Sequence, residues 1–224
     1  MTLLMNGCSF TDIWKPSDDF VKALGCDKVV NLGIEATSFQ RTVRSTIEWI
    51  VQNGKPTFVI APITFSHRWE LALNLHDKPL EGSWIPLQNS NFIKDDIELQ
   101  GTNTEDLKKL VDDYYKIIPN IKTYYDKTFT NMILFANYLE NNGIKYLMFD
   151  MCNNFQKKDI EGYQGFEKVK LIEQNKNIID IWNFCANEYM FNSMNLKTDI
   201  DRYGHHHAPE QYKQLEDYIL NYIK

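Results

Sequence analysis

Two candidate nucleophiles stand side by side near the start of the chain, in the run Met5-Asn6-Gly7-Cys8-Ser9-Phe10-Thr11. A thiol or hydroxyl attacks only when a neighbouring base takes its proton and preorganised donors hold the charge that develops. The candidate base lies in the run His205-His206-His207, which leads through Ala208-Pro209 into the last helical pattern; the other histidines are His67 and His76. The polar run at residues 6–9 follows an apolar one, Thr2-Leu3-Leu4-Met5, so the pair is expected at the end of a buried strand. In strand-to-turn geometry neighbouring side chains diverge. The Cys8 thiol is therefore expected toward the core and Ser9 toward the surface. The three histidines can also be read as a metal tract. Adjacent side chains project in different directions, so three in a row do not close on one ion, and the chain has no H-E-x-x-H spacing.

The elements that would position these residues alternate in type. Strands are expected at Thr2–Asn6, Lys28–Asn31 (KVVN), Thr57–Pro62 (TFVIAP), Ile144–Asp150 (IKYLMFD) and within Asn175–Ile181. Helices are expected over Pro16–Leu24, from a Thr37 or Ser38 cap to about Asn53, from 66 to about 77, over Glu105–Ile118 and about Thr123–Asn142, over Trp182–Met190, and from about Pro209 to Ile223. The uniformly apolar third run suits a central strand covered on both faces. Strands separated by helices imply a parallel sheet with helices on both sides, and sites in such sheets form at the carboxyl ends of the strands. Gly7–Thr11, Asn31–Ser38 and Thr64–Glu70 fall at those ends. From Asp77 to Gly101 the regular alternation breaks, with Pro79, Gly82, Pro86 and many amides; residues of about 77–120 read as an insertion or lid on one domain spanning 1–224.

Composition narrows the function classes. The chain has 224 residues, 43% hydrophobic and 24% charged, with net charge −6. It lacks the clustered Lys/Arg of a nucleic-acid surface, and Lys157–Lys176, mildly basic but interrupted by acids, reads as a solvated face. No apolar stretch approaches the ~20 residues of a membrane span, and no basic region precedes an apolar one as in a signal peptide. A cytoplasmic protein with no nucleic-acid or membrane partner is expected. Cys8, Cys26, Cys152 and Cys185 are scattered and read as buried thiols. A nucleotide-binding reading lacks both G-x-G-x-x-G and a P-loop. Trp14, Phe39, Phe65, Trp69 and Trp84 fall near the expected site, where aromatics either stack on sugar or pack the core.

In order and spacing these parts resemble the SGNH/GDSL hydrolase family. Gly7-Cys8-Ser9-Phe10-Thr11 matches the family's Gly-Asp-Ser-type block after the first strand. Asn31-Leu32-Gly33 through Ala36-Thr37-Ser38 matches the second block. Thr64-Phe65-Ser66-His67-Arg68-Trp69-Glu70 stands where the third block supplies an Asn, and the 205–207 cluster matches the histidine before the last helix. The resemblance covers nearly the whole chain apart from about 77–120. It implies a three-layer α/β/α sandwich around a central, mostly parallel, five-stranded sheet of flavodoxin-like type, and no cofactor.

The resemblance also assigns roles. Ser9 is the nucleophile, with His206 or His207 as its base and His205 as a third possibility. An orienting acid normally lies two or three residues before that histidine; here Asp201 and Asp199 lie further back. The N–H groups of Ser9 and Ala36, with the Thr64 hydroxyl, form the oxyanion hole, while Arg68, Glu70, Asn31 and Ser66 contact substrate. This implies hydrolysis of a small-molecule or carbohydrate ester, O-acetyl groups in particular. The altered third block and the distant Asp also suit a catalytically silent module of the same fold, for example in a virion, since the Thr/Ser-x-x-x-Arg-x-Glu form resembles a phage-like branch.

Overall fold

The computed structural model describes residues 1–35, 37–72, 84–87, 104–117, 121–152, 154–160, 165–193 and 209–224. Strand β1 (Thr2–Met5) lies between β2 (Lys28–Asn31) and β3 (Phe58–Ile63), and β6 (Lys145–Asp150) completes the order β2-β1-β3-β6. Every pair is parallel: Met5 sits opposite both Asn31 and Ile60, and Ile60 opposite Leu147. Two further strands, β4 (Trp69–Ala72) and β5 (Trp84–Leu87), form a separate antiparallel hairpin.

The sheet divides the core in two, because alternate residues of each strand point to opposite faces. Leu3, Met5, Phe58, Ile60, Leu147 and Phe149 pack with Phe20 of α2 (Asp18–Ala23), Met190 of α7 (Ala186–Ser193) and Leu215 and Ile219 of α8 (Pro209–Tyr222). On the other face Leu4, Val59, Ala61, Tyr146 and Met148 meet α3 (Phe39–Asn53), α5 (Ile121–Asn141) and α6 (Phe166–Gln174), which bring Ile50, Phe129, Met132 and Val169. All six residues of β3 are buried, as its apolar run predicts. Further described elements are α1 (Ser9–Asp12), α4 (Thr104–Ile117) and a 3-10 helix over Lys157–Ile160. None of the described helices is long and apolar enough to cross a membrane.

Four expectations are corrected. The described sheet has four strands where five were expected. Residues 177–179 make only a short parallel bridge to β6, from Met148 N to Asn177 O and from Ile179 N to Met148 O, both 2.9 Å. Asp180 then turns the chain away by accepting from Trp182 N at 2.9 Å, which also delays the following helix to Ala186. Within the described part of the helix expected from 66 to about 77, Trp69–Ala72 form strand β4 instead, and residues 73–77 lie outside the described residues. Buried Glu70 meets Arg44 of α3 at 3.4 Å, an ion pair that ties this strand to the helix. A helix, α6, was missed inside the mildly basic 157–176 segment: its Val169 and Ile172 are buried while Lys170 points outward. The short α1 was also missed, since four residues carry too little periodicity to register.

The expected insertion of about 77–120 contains β5 and α4; the rest of it lies outside the described residues.

Candidate active site

The turn after β1 separates its two candidate nucleophiles. Cys8 closes the strand end in extended geometry (φ −89°, ψ −162°), and its carbonyl accepts from Thr11 N at 2.9 Å and Asp12 N at 3.0 Å. Ser9 begins α1 and is half-buried, whereas Cys8 is only 1% exposed and belongs to the core beside Cys152. The Cys152 thiol hydrogen-bonds Cys8 and lowers its pKa, and the Cys152 thiol itself is pushed up. Cys8 thus faces the interior, as expected from the divergence of adjacent side chains.

The turn has little room. A Cβ on Gly7 would collide with Thr11 Oγ1 and lie 3.6 Å from Pro62 Cδ, so a side chain here requires Thr11 or the turn to shift. Gly33 is constrained alike: a Cβ there would lie 2.6 Å from Asp12 N. The second polar block presses against α1 at this point. Asn31 Nδ2 donates to Thr11 O at 2.6 Å, while Asn31 Oδ1 accepts from Gly33 N at 2.9 Å. The Asn31 amide therefore braces the turn that carries Ser9. Gly7 O receives both Ile34 N at 3.1 Å and Thr37 Oγ1 at 3.2 Å. Ala36 lies outside the described residues.

Asn6, fully buried, anchors the same turn from the other side. Its Nδ2 reaches Thr42 O at 3.0 Å, Ser45 Oγ at 2.8 Å and Thr46 Oγ1 at 2.9 Å on α3. Sequence reasoning missed this network. The signal was there: Thr42, Ser45 and Thr46 are polar residues at helical spacing, 3 to 4 apart, on a face otherwise expected to be apolar.

The third block follows β3, next to β1. Thr64 is fully buried, and its Oγ1 meets no hydrogen-bond partner among the described residues. Asn154 holds the segment around it: Asn154 Nδ2 donates to Thr64 O at 3.1 Å and Asn154 Oδ1 accepts from Ser66 N at 2.8 Å. Arg68 donates to Thr37 O at 3.4 Å, linking the second and third blocks, and its guanidinium lies 4.4 Å from the centre of the Phe65 ring. His67 packs near Phe65 and Tyr124, and burial lowers its pKa. A cleft of about 390 Å³ opens here, lined by Phe39, Gln40, Ser66, Arg68 and Glu70 and by Lys127 from α5. Arg68, Glu70 and Ser66 thus line one cleft, whereas Asn31 and Ser9 do not line it.

His205, His206, His207, Asp199 and Asp201 lie outside the described residues. The helix that follows them does not. Tyr212 Oη donates to Phe10 O at 2.7 Å, one residue beyond Ser9. Buried Glu216, one turn on, accepts from Trp14 Nε1 at 3.2 Å and from Ser17 N at 2.9 Å. The last helix is therefore fastened to the segment that carries Ser9. Asn154 and Glu216 were not singled out in the sequence, where an isolated Asn or Glu carries no positional signal, and Tyr212 was read only as one member of the last helix's stripe with Leu215, Ile219 and Tyr222.

No family model matches the chain, and no curated protein matches it. Among solved structures it is similar to TesA, at 15% identity over 100% of this chain and 98% of that one, with a TM-score of 0.48. It is also similar to a GDSL-like lipase from Bacteroides thetaiotaomicron, at 17% identity, 97% and 85% coverage and a TM-score of 0.48. A third is the psychrotrophic esterase EstA from Pseudoalteromonas sp., at 13% identity, 99% and 96% coverage and a TM-score of 0.47.

Proposed function

We propose that this chain is a serine ester hydrolase of SGNH type, with Ser9 as its nucleophile. The observation that carries the reading is the Tyr212–Phe10 hydrogen bond, which ties the helix following the histidine run to the residue following Ser9. In this reading His206 or His207 takes the Ser9 Oγ proton as the oxygen attacks the ester carbonyl, and returns it to the leaving alcohol. Water then cleaves the acyl-enzyme by the same route. Asp201 orients the base. The N–H groups of Ser9 and Ala36 and the Thr64 hydroxyl hold the oxyanion, a set in which one donor is worth about 10²–10³ in rate. Arg68, Glu70 and Ser66 line the substrate cleft, with Asn31 bracing the turn behind them. Small carboxylic esters, including carbohydrate O-acetyl groups, suit a cleft of this size and mixed polarity.

The test is hydrolysis of p-nitrophenyl acetate by the wild-type protein and Ser9→Ala, with fluorophosphonate labelling mapped by peptide mass. We expect a label on Ser9 and a loss of about a thousandfold or more in the variant. Equal activity in the two proteins would sink the reading.

One observation favours a second reading, a catalytically silent module of the same fold that binds a partner or serves in a virion. Thr64 is fully buried, so its hydroxyl is not presented at the surface. Under this reading the folded wild-type protein takes no fluorophosphonate label.

A further inference from the structure

Building on the hydrolase reading above, we propose that Asn154 is the positioning residue of the site's third block, itself held by Asp150. One planar amide grips two peptide groups that flank Phe65: it accepts from Ser66 N at 2.8 Å and donates to Thr64 O at 3.1 Å. The second hydrogen of Asn154 Nδ2 goes to Asp150 Oδ1 at 2.6 Å. These three bonds admit one orientation of the amide. Flipped, its NH2 group would face the Ser66 N–H and its oxygen would face the Thr64 carbonyl and the Asp150 carboxyl, like against like in every case.

Asp150 is suited to hold that orientation. It is the last residue of β6 and only 1% exposed. Its Oδ2 accepts from Asn154 N at 2.6 Å and its Oδ1 also accepts from Cys152 N at 3.0 Å, so one carboxyl fixes both the backbone and the side chain of Asn154. Tyr125 Oη of α5 adds a donor to Asn154 O at 2.8 Å. β6 is separated from β1 by β3, and the clamp carries the order of β6 and α5 across to the turn beside the Ser9 strand end. What it holds is the block with Thr64, whose hydroxyl has no partner among the described residues, at one end and the cleft residues Ser66 and Arg68 at the other. With its oxygen taken by Ser66 N and its two hydrogens by Thr64 O and Asp150 Oδ1, the amide acts on the reaction through the geometry of the third block. Catalytic efficiency is sensitive to displacements of about 1 Å in such groups.

The experiment compares wild-type protein, Asn154→Ala and Asn154→Asp on p-nitrophenyl acetate, with fluorophosphonate titration counting the competent Ser9 sites in each sample. Asn154→Asp keeps the shape and the acceptor for Ser66 N but turns an oxygen in place of the NH2 toward Thr64 O and Asp150 Oδ1, breaking the clamp without emptying its place, and the titration restricts the comparison to folded sites in both variants. We expect kcat per titrated site to fall at least tenfold in both variants with KM within threefold. A kcat per titrated site within twofold of wild type in both, any loss following the titratable fraction alone, overturns the clamp and leaves the hydrolase reading intact. Failure of the wild-type protein to take the label, with Ser9→Ala fully active, overturns both.

Discussion

Tyr212 and Phe10 stand 202 positions apart in the chain, and the Tyr212 hydroxyl donates to the Phe10 carbonyl at 2.7 Å. The hydroxyl is buried, which pushes its pKa upward, so it stays protonated and able to donate throughout the working pH range. The bond sits where the last helix crosses the turn that carries Ser9.

Replacing Tyr212 by Phe keeps the ring, which stacks on Trp14 at 5.8 Å, and removes only the donor. Loss of about 1–2 kcal/mol is expected, read by urea unfolding. Ester hydrolysis should fall further than in Ile219→Val, a change of comparable cost on the same helix. Equal activity in the two variants would mean that the bond serves stability alone.

Gly7→Ala tests how tightly the turn is packed. The added methyl would meet Thr11 Oγ1, so either the turn or Thr11 must shift, at a cost of about 1–3 kcal/mol. Thr11→Ala removes the hydroxyl that obstructs it. The double variant should therefore regain part of the lost stability, with the remaining deficit set by the Thr11 Cβ at 3.1 Å. A double variant less stable than Gly7→Ala by the full cost of Thr11→Ala would show the two positions to be independent.

Asp150 makes stability depend on pH. Burial raises its pKa from 3.8 to about 6, against the opposing pull of the N–H groups of Cys152 and Asn154. A raised carboxyl binds its proton more tightly in the folded state than in the unfolded one. Its stabilising contribution is complete below about pH 3.8 and is lost as pH rises through about 6. The difference amounts to about 3 kcal/mol at most, on the order of 1.4 kcal/mol per unit. Unfolding free energies of wild-type protein and Asp150→Asn, measured from pH 4 to 7, should diverge across that window, with wild type falling relative to the variant as pH rises. Parallel curves would remove Asp150 as the source.

Much of the fold was legible because its signals are local. The uniformly apolar TFVIAP run marks a strand covered on both faces, and β3 is buried along its whole length. Ser38 caps α3 through a 3.1 Å bond from Arg41 N, and Gly54 and Gly143 close α3 and α5 with positive φ, conformations those residue types favour. The errors arose where a tertiary partner overrides the local pattern. Trp69–Ala72 forms a strand because it pairs with Trp84–Leu87 and ties to Arg44, none of which is near in sequence. The fifth strand reduces to a bridge because Asp180 turns the chain.

The candidate site divides along the same line. A glycine, a cysteine and a serine at the end of an apolar run suffice to mark a tight turn with one inward and one outward side chain, since alternation along a strand end is a property of the backbone. The sequence determined that much by itself, together with the parallel α/β architecture that puts strand ends on one edge. Only the tertiary structure decided which groups brace that turn: Asn6 against α3, Asn31 against α1, Asn154 around Thr64 and Ser66, and Tyr212 on Phe10. Each is a polar side chain whose partner is distant in sequence or is a backbone group. The chain order carries no record of such bonds until burial removes water as the alternative partner.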